Sequence, residues 1–512
     1  MANQGPKRGA FEKVWFVPRL GVFNTVPFYE TPDEALHNAL NVIVRSGTLQ
    51  PRPGLSSHNE SSLLDRPMGA TVIASLGTSV FQADTFQNNS FQVTGAGSSV
   101  LILVGTTRRI FVLYAGVWTD ITNTLLTGGD SNPVRFASIE ISGVIYTIIT
   151  NGVDTPRLWD SSSATVSNVS GSPPLWTDIT TIGDHIVGII PPYTVRWGNN
   201  LSVSTWPALN FRDVADTQDR VVAIRNMGTL GGVLYKEKSI WSVISLGGAE
   251  STFYRFELRG FYDGPCSPAA VVDANGVQYY LTSNGRIGRY NGTQHDWVAD
   301  GVWDLIRADL DQSNMNRAFG VYEPSFDEVY FYYPRAVDTG DLYGMVILKL
   351  PRPKDLMPDF SAWPGRSMVP VSCGTDLRFE SNQALVFRSD TFKSRVLAGD
   401  KDDDEDFSGF WQPGIGSVPG VLPYRIEEIE VFARRQPAAG TLTIKPVTSN
   451  LLDVEGGTVG AGISMALTMP TFVRDLRGTD ARGRFLGLRF EFTTPIFLRF
   501  LGARLTANPL EG

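Results

Sequence analysis

The sequence predicts an all-β protein: a β-propeller of about six blades followed by a small C-terminal β-sandwich. Three observations predict it. Charged residues make up only 19% of the chain and aromatic residues 11%, against roughly 25% charged in an average soluble protein. Turn formers are abundant, with 51 Gly and 31 Pro. From about residue 66 onward, short apolar runs alternate with Gly, Asn, Asp and Ser clusters, the signature of strands and tight turns. At 512 residues the chain exceeds one typical domain and can bury a core without staples.

Residues 1–65 form a separate N-terminal segment. Thr31-Pro32-Asp33-Glu34 reads as a helix start, with Thr as N-cap, Pro at the first helical position and Glu three after the cap. A short helix is therefore expected near residues 32–40, running into a strand at Asn41-Val42-Ile43-Val44 and a turn at Gln50-Pro51-Arg52-Pro53-Gly54.

Residues 66–394 are expected to be the propeller. Hairpins recur at Leu101–Tyr114, Ile139–Ile149, His185–Ile190, Gly232–Ile244, Val277–Tyr290 and Glu328–Leu348. Their spacing of about 40–50 residues is that of propeller blades. Trp118, Trp159 and Trp176, each followed closely by Asp, mark strand ends. Residues 395–423 read as an exposed loop: an acidic run, Asp400 to Asp406, then a Gly- and Pro-rich stretch. Residues 424–512 alternate with period two, as in Phe485-Leu486-Gly487-Leu488-Arg489-Phe490-Glu491-Phe492, which predicts a sheet with one wet face.

The formal net charge of −8 and pI near 5.2 argue against a protein that grips nucleic acid by its phosphates. They do not exclude a conduit, since a channel that passes DNA must avoid binding it and acidic walls would help. Cys266 and Cys373 are too few for a disulfide framework or a four-Cys zinc site. The N-terminus lacks an apolar signal region, which predicts synthesis in a cytoplasm, and no stretch approaches the ~20 apolar residues of a membrane span.

Catalytic motifs are missing. His37, His58, His185 and His295 stand apart, and no His-Glu-x-x-His, Cys-x-x-Cys, Gly-x-Ser-x-Gly or phosphate-binding glycine motif occurs. No cofactor and no enzymatic role are expected. Carboxylates are plentiful, so a glycosidase-type or carbohydrate-binding propeller, such as a receptor-binding tail protein, stays open as the alternative. Asp400, Asp402, Asp404 and Asp406 alternate as in a calcium loop, yet Glu405 stands where that loop needs Gly. The run Asp400, Asp402, Asp403, Asp404, Glu405 and Asp406 is read instead as a solvated loop that would repel phosphate if it faced a pore. Arg474, Arg477, Arg482 and Arg484, interleaved with aromatics, read as a protein interface.

Three patches resemble one family. Ala39 to Leu55 contains Asn41-Val42-Ile43-Val44, a small turn, and Arg52-Pro53-Gly54. Phe261-Tyr262-Asp263-Gly264-Pro265-Cys266-Ser267-Pro268 leads to Ser283-Asn284-Gly285-Arg286-Ile287, and Arg482-Gly483-Arg484-Phe485 leads to the closing strands. Together they resemble the tail nozzle proteins of short-tailed bacteriophages, the group of tail tubular protein B and the packaged-DNA stabilisation proteins, or tail needle hubs. The acidic run departs from that pattern. The resemblance implies a structural virion protein, six copies in a ring below a portal-bound adaptor, a propeller at the periphery of each subunit, attached plug, needle or fibre proteins, and non-specific passage of double-stranded DNA.

Overall fold

The computed structural model describes residues 11–25, 30–32, 34–76, 79–81, 98–114, 116–161, 163–228, 231–351, 360–378, 381–414, 416–417, 424–435, 441–449, 458–466, 471–477, 482–483, 485–494 and 498–509. The chain is all-β, with one short α-helix, Trp303–Asp309, among the described residues.

Among the described residues, six hydrogen-bonded sheets ring a common axis. Blade 1 is Pro67–Leu76, Ser98–Thr106, Ile110–Tyr114 and Val117–Asp120, with Ser79–Phe81 added on Pro67–Leu76. Blades 2 to 5 are four-stranded meanders whose first strands are Arg135–Ile141, Asp178–Ile182, Val221–Asn226 and Val271–Ala274. The sixth sheet is double. The 16-residue strand Ser361–Asp376 ends one unit, after Phe319–Glu323, Glu328–Tyr333 and Leu342–Lys349, and opens the next, before Ala384–Arg388 and Ser394–Leu397. We call these units blades 6 and 7.

The blades are joined by apolar clusters between neighbouring sheets, so their strands are buried on both faces and read as unbroken apolar runs. Ile73, Leu103 and Ile110 of blade 1 meet Ile145, Ile149 and Trp159 of blade 2. Trp176 lies edge-on to Trp206, 4.9 Å between ring centroids, between blades 2 and 3. Val72, Ile102 and Phe111 of blade 1 meet Leu385, Phe387 and Val396 of blade 7, which closes the ring. The Trp–Asp strand ends seen in the sequence are thus inter-blade plugs.

Among its described residues, the N-terminal segment supplies five strands: β1 (Phe11–Phe16), β2 (Leu36–Leu40), β3 (Val42–Arg45), β4 (Thr48–Pro51) and β5 (Leu55–Asn59). Their partners correct the expected boundaries. β5 is the outermost strand of blade 7, paired with Ser394–Leu397. β1, β3 and β4 belong to one sandwich sheet with Leu498–Pro509, Tyr424–Arg435 and Thr471–Arg477. β2 edges the other, beside Ser408–Pro413, Phe485–Thr493 and Thr441–Ser449. Residues 1–65 are therefore no separate segment. The stretch 395–423 is no plain loop, since it contains Ser408–Pro413. The sandwich begins well before residue 424. Between its sheets Trp411 stacks on Phe490 at 4.9 Å and meets Phe500 at 5.3 Å.

The helix expected near residues 32–40 is also corrected. A turn, closed by Ala35 N donating to Pro32 O at 2.9 Å, leads straight into strand β2. The Thr31 hydroxyl lies 3.3 Å from His37 Nδ1. A long-range partner strand outweighs local helix propensity, which is worth only tenths of a kcal/mol per residue. Asp33 lies outside the described residues.

Candidate functional site

The most elaborate polar site joins propeller and sandwich. Asn41 sits between β2 and β3 with φ of 59°, a left-handed conformation that Asn tolerates better than most residues. Its Nδ2 donates to Ser408 O at 2.7 Å, and its Oδ1 accepts from Arg366 N at 2.7 Å and Arg52 Nε at 3.0 Å. Arg52 is 2% exposed and Asp402 is 0% exposed. Arg52 grips that carboxylate in bidentate fashion, Nη1–Oδ1 2.9 Å and Nη2–Oδ2 2.5 Å. Its remaining donors go to Pro53 O at 2.7 Å and Arg366 O at 2.6 Å. All five N–H groups of the guanidinium are therefore used. Asp402 also accepts from Met368 N at 2.8 Å, and the Phe407 ring covers the guanidinium at 4.1 Å. A Cβ on Gly54 would run into the Lys401 carbonyl, so the chain can pass here only as glycine.

This geometry relocates much of the acidic run. Asp402 is buried under Arg52, and Asp403 pairs with Arg388 and with Arg395 Nε at 2.6 Å. Asp404, Glu405 and Asp406 are exposed, Asp406 lying 3.1 Å from Lys401, and Asp400 is half-buried. Three of the six carboxylates are exposed, and one of these, Asp406, is paired with Lys401. Among the described residues, no group of three or more His, Cys, Asp or Glu side chains is placed to hold a metal ion.

Of the arginines expected at an interface, Arg474 and Arg477 lie on the strand Thr471–Arg477, opposite Val431 and Glu428. Arg482 is exposed, on the short strand that pairs with Tyr424–Arg435. Arg484 lies outside the described residues.

The propeller axis holds a cavity of about 190 Å³, bordered by Arg66, Arg135, Arg225, Arg317 and Arg378 together with Asp130, Asp273 and Asp376. Its charges stitch blades to one another. Asp178 of blade 3, 0% exposed, accepts from Arg135 of blade 2 at 2.9 Å and from Arg225 of blade 4 at 2.5 Å. Arg225 continues to Pro268 O at the start of blade 5. Arg66 bridges Asp130 and Asp341 at 2.9 and 3.0 Å. The axis is thus a charge-balanced seam. Sequence reasoning did not find it, because its members are single Arg and Asp residues at strand ends, separated by whole blades.

No family model and no curated protein matches this chain. Solved structures similar to it include the peptide-bound YCF48 (13% identity, 68% of this chain and 98% of that one, TM-score 0.36) and the WD40 propeller of Doa1 (8%, 68% and 97%, TM-score 0.34). BamB from Moraxella catarrhalis is similar at 9% identity over 71% and 97%, with TM-score 0.34. The likeness is one of β-propeller architecture and carries no argument about activity.

Proposed function

We propose that the chain is a structural virion protein: a subunit of the ring-shaped tail nozzle or hub of a short-tailed phage. It would continue the DNA channel below the adaptor and carry plug, needle or fibre proteins. One observation carries this reading. Several of the residues through which the sequence resembles nozzle proteins sit at junctions of this fold. Asn41, Arg52 and Gly54 of the first patch form the buried junction with Asp402. The second patch makes the crossing from blade 4 to blade 5, where Ser267 Oγ accepts from Ala270 N at 3.1 Å and Cys266 N donates to Leu281 O at 2.9 Å. The third patch, from Arg482, leads into Phe485–Thr493 and Leu498–Pro509, inner strands of the two sandwich sheets. A resemblance confined to surface loops would have little bearing on architecture; one concentrated at junctions does.

On this reading the protein works by assembly, without turnover. Six copies would close a ring, the exposed Asp404, Glu405 and Asp406 would repel phosphate where they face the channel, and the arginine-bearing edge strand Thr471–Arg477 would meet a neighbour. The test is electron microscopy of virions labelled with an antibody against this chain. Label at the tail axis, with six-fold averaged density, is the expected result. Label on peripheral fibres, or none on any particle, refutes the reading.

A further inference from the structure

The axial cavity is more than a seam between blades. Among the described residues, five guanidinium groups border it, and each arrives from a different part of the ring. Arg66 stands at the entry to blade 1, Arg135 and Arg225 on the first strands of blades 2 and 4, Arg317 at the entry to blade 6, and Arg378 just past the shared strand Ser361–Asp376. Arg66, Arg135, Arg225 and Arg378 keep between 13% and 23% of their side chains exposed. Such half-buried guanidinium groups are screened less by water and salt than surface ones.

The carboxylates are spread unevenly around these cations. Asp130, Asp273 and Asp376 border the cavity, but Asp178 and Asp341 do not. Asp178 is turned to the inter-blade core, where it also accepts from Ile224 N at 2.9 Å. Asp341 is shared with the Ser389 hydroxyl at 3.2 Å. The seam as a whole is balanced, yet the cavity wall carries more cations than anions. Arg317 sharpens this imbalance. It ends the 3-10 helix Gln312–Arg317, and among the described residues it pairs with no carboxylate. Its Nη1 donates to Gly340 O at 3.2 Å. A guanidinium has five N–H donors, so that one bond leaves most of them for another acceptor.

Size and direction narrow the acceptor. A volume of about 190 Å³ is room for about six waters at roughly 30 Å³ each. It is below the roughly 300–1,000 Å³ of pockets for drug-sized ligands, and far too small for a nucleic-acid strand. A carboxylate presents its two oxygens in one plane. A tetrahedral oxyanion presents acceptors in every direction, which matches donors converging from around a ring, and arginine is well suited to it.

We propose that the propeller axis is a binding site for a small tetrahedral oxyanion of the phosphate class, held by Arg317 with the arginines of the neighbouring blades. The bound ion ties blades together across the axis and stabilises the ring by mass action. This goes beyond the nozzle reading and does not depend on it.

The test is isothermal titration of the full chain with inorganic phosphate at constant ionic strength, made up with sodium chloride. Saturable binding of one ion per chain is expected, with a Kd of about 1 mM or tighter, the strength of two or three charge-assisted hydrogen bonds. Sulfate should displace the phosphate, and acetate should not. Arg317→Gln keeps a donor for Gly340 O but removes the charge, and should weaken binding about ten-fold. Arg212→Ala, on the outer edge of blade 3, should bind as the wild type does. Absence of saturable binding overturns the proposal, as does an unchanged Kd in Arg317→Gln or an equal loss in Arg212→Ala. If Arg317→Gln fails to fold, the wild-type competition decides: displacement by acetate as readily as by sulfate overturns the site.

Discussion

Blades 1 to 5 and the sandwich solve the same problem in opposite ways. Each of these blades is completed by one continuous stretch of chain, strand after neighbouring strand, and its apolar faces are covered by the next blade. The sandwich is woven from both ends: Phe11 pairs with Ala507, Trp15 with Ala503, and Leu36 with Pro413. Blade 7 stands between the two, three of its strands local and the fourth, β5, taken from the N-terminal segment. Local meanders can be damaged one at a time. An interwoven module transmits damage, because the N-terminal segment that completes it also supplies β5 to blade 7.

The strongest way to break this comparison is to remove residues 1–59. Both sandwich sheets and blade 7 lose strands at once, and the expected result is loss of the cooperative unfolding transition followed by circular dichroism. Survival of a folded propeller would show that the interweaving is dispensable. Next in size is Arg52→Ala. It strands the buried Asp402 carboxylate, and removing one partner of a buried pair costs about 3–5 kcal/mol. Denaturant melts should show propeller and sandwich signals shifting together.

The two regions should also part in their response to acid. Burial lowers the His37 imidazole, on β2 of the sandwich, to about 4. A histidine held neutral in the folded state takes up its proton only at the cost of stability. Stability should therefore fall as pH drops from 6.5 towards 4, by on the order of 2 kcal/mol, and His37→Gln should flatten that limb of a stability–pH curve. Burial raises the Glu323 carboxyl of blade 6 to about 7, so its contribution has the opposite sign and is lost as pH rises from 4.5 through about 7.

Smaller effects sharpen the contrast. Ile186→Val trims one methylene from the fully buried core between blades 2 and 3 and should cost about 0.5–1.5 kcal/mol. Its loss of exchange protection should stay within those blades. Arg212→Ala removes a pair with Asp216 in which both side chains are 59% exposed. The expected change is under about 0.5 kcal/mol, and a larger loss in a denaturant melt would mean that the outer edge of blade 3 carries more than it shows.

The sequence by itself determined the class of fold. Apolar runs such as Val144–Thr150 and Val277–Leu281, bounded by glycine and asparagine turns, can be little other than strands buried on both faces, and their spacing sets the blades. Trp176 and Trp159 already marked the plugs between them. What only the tertiary structure decided is which distant residues meet. Arg52 and Asp402 are each noticeable in the sequence, one in an Arg-Pro-Gly phrase and one in an acidic run. Nothing local says that they form one buried pair across 350 positions. The turn and strand at 32–40, the membership of β5 in blade 7, and the pairing of Arg45 with Glu328 share that origin. Periodicity is a property of neighbours in the chain, whereas pairing between strands and burial of charge depend on which neighbours folding supplies.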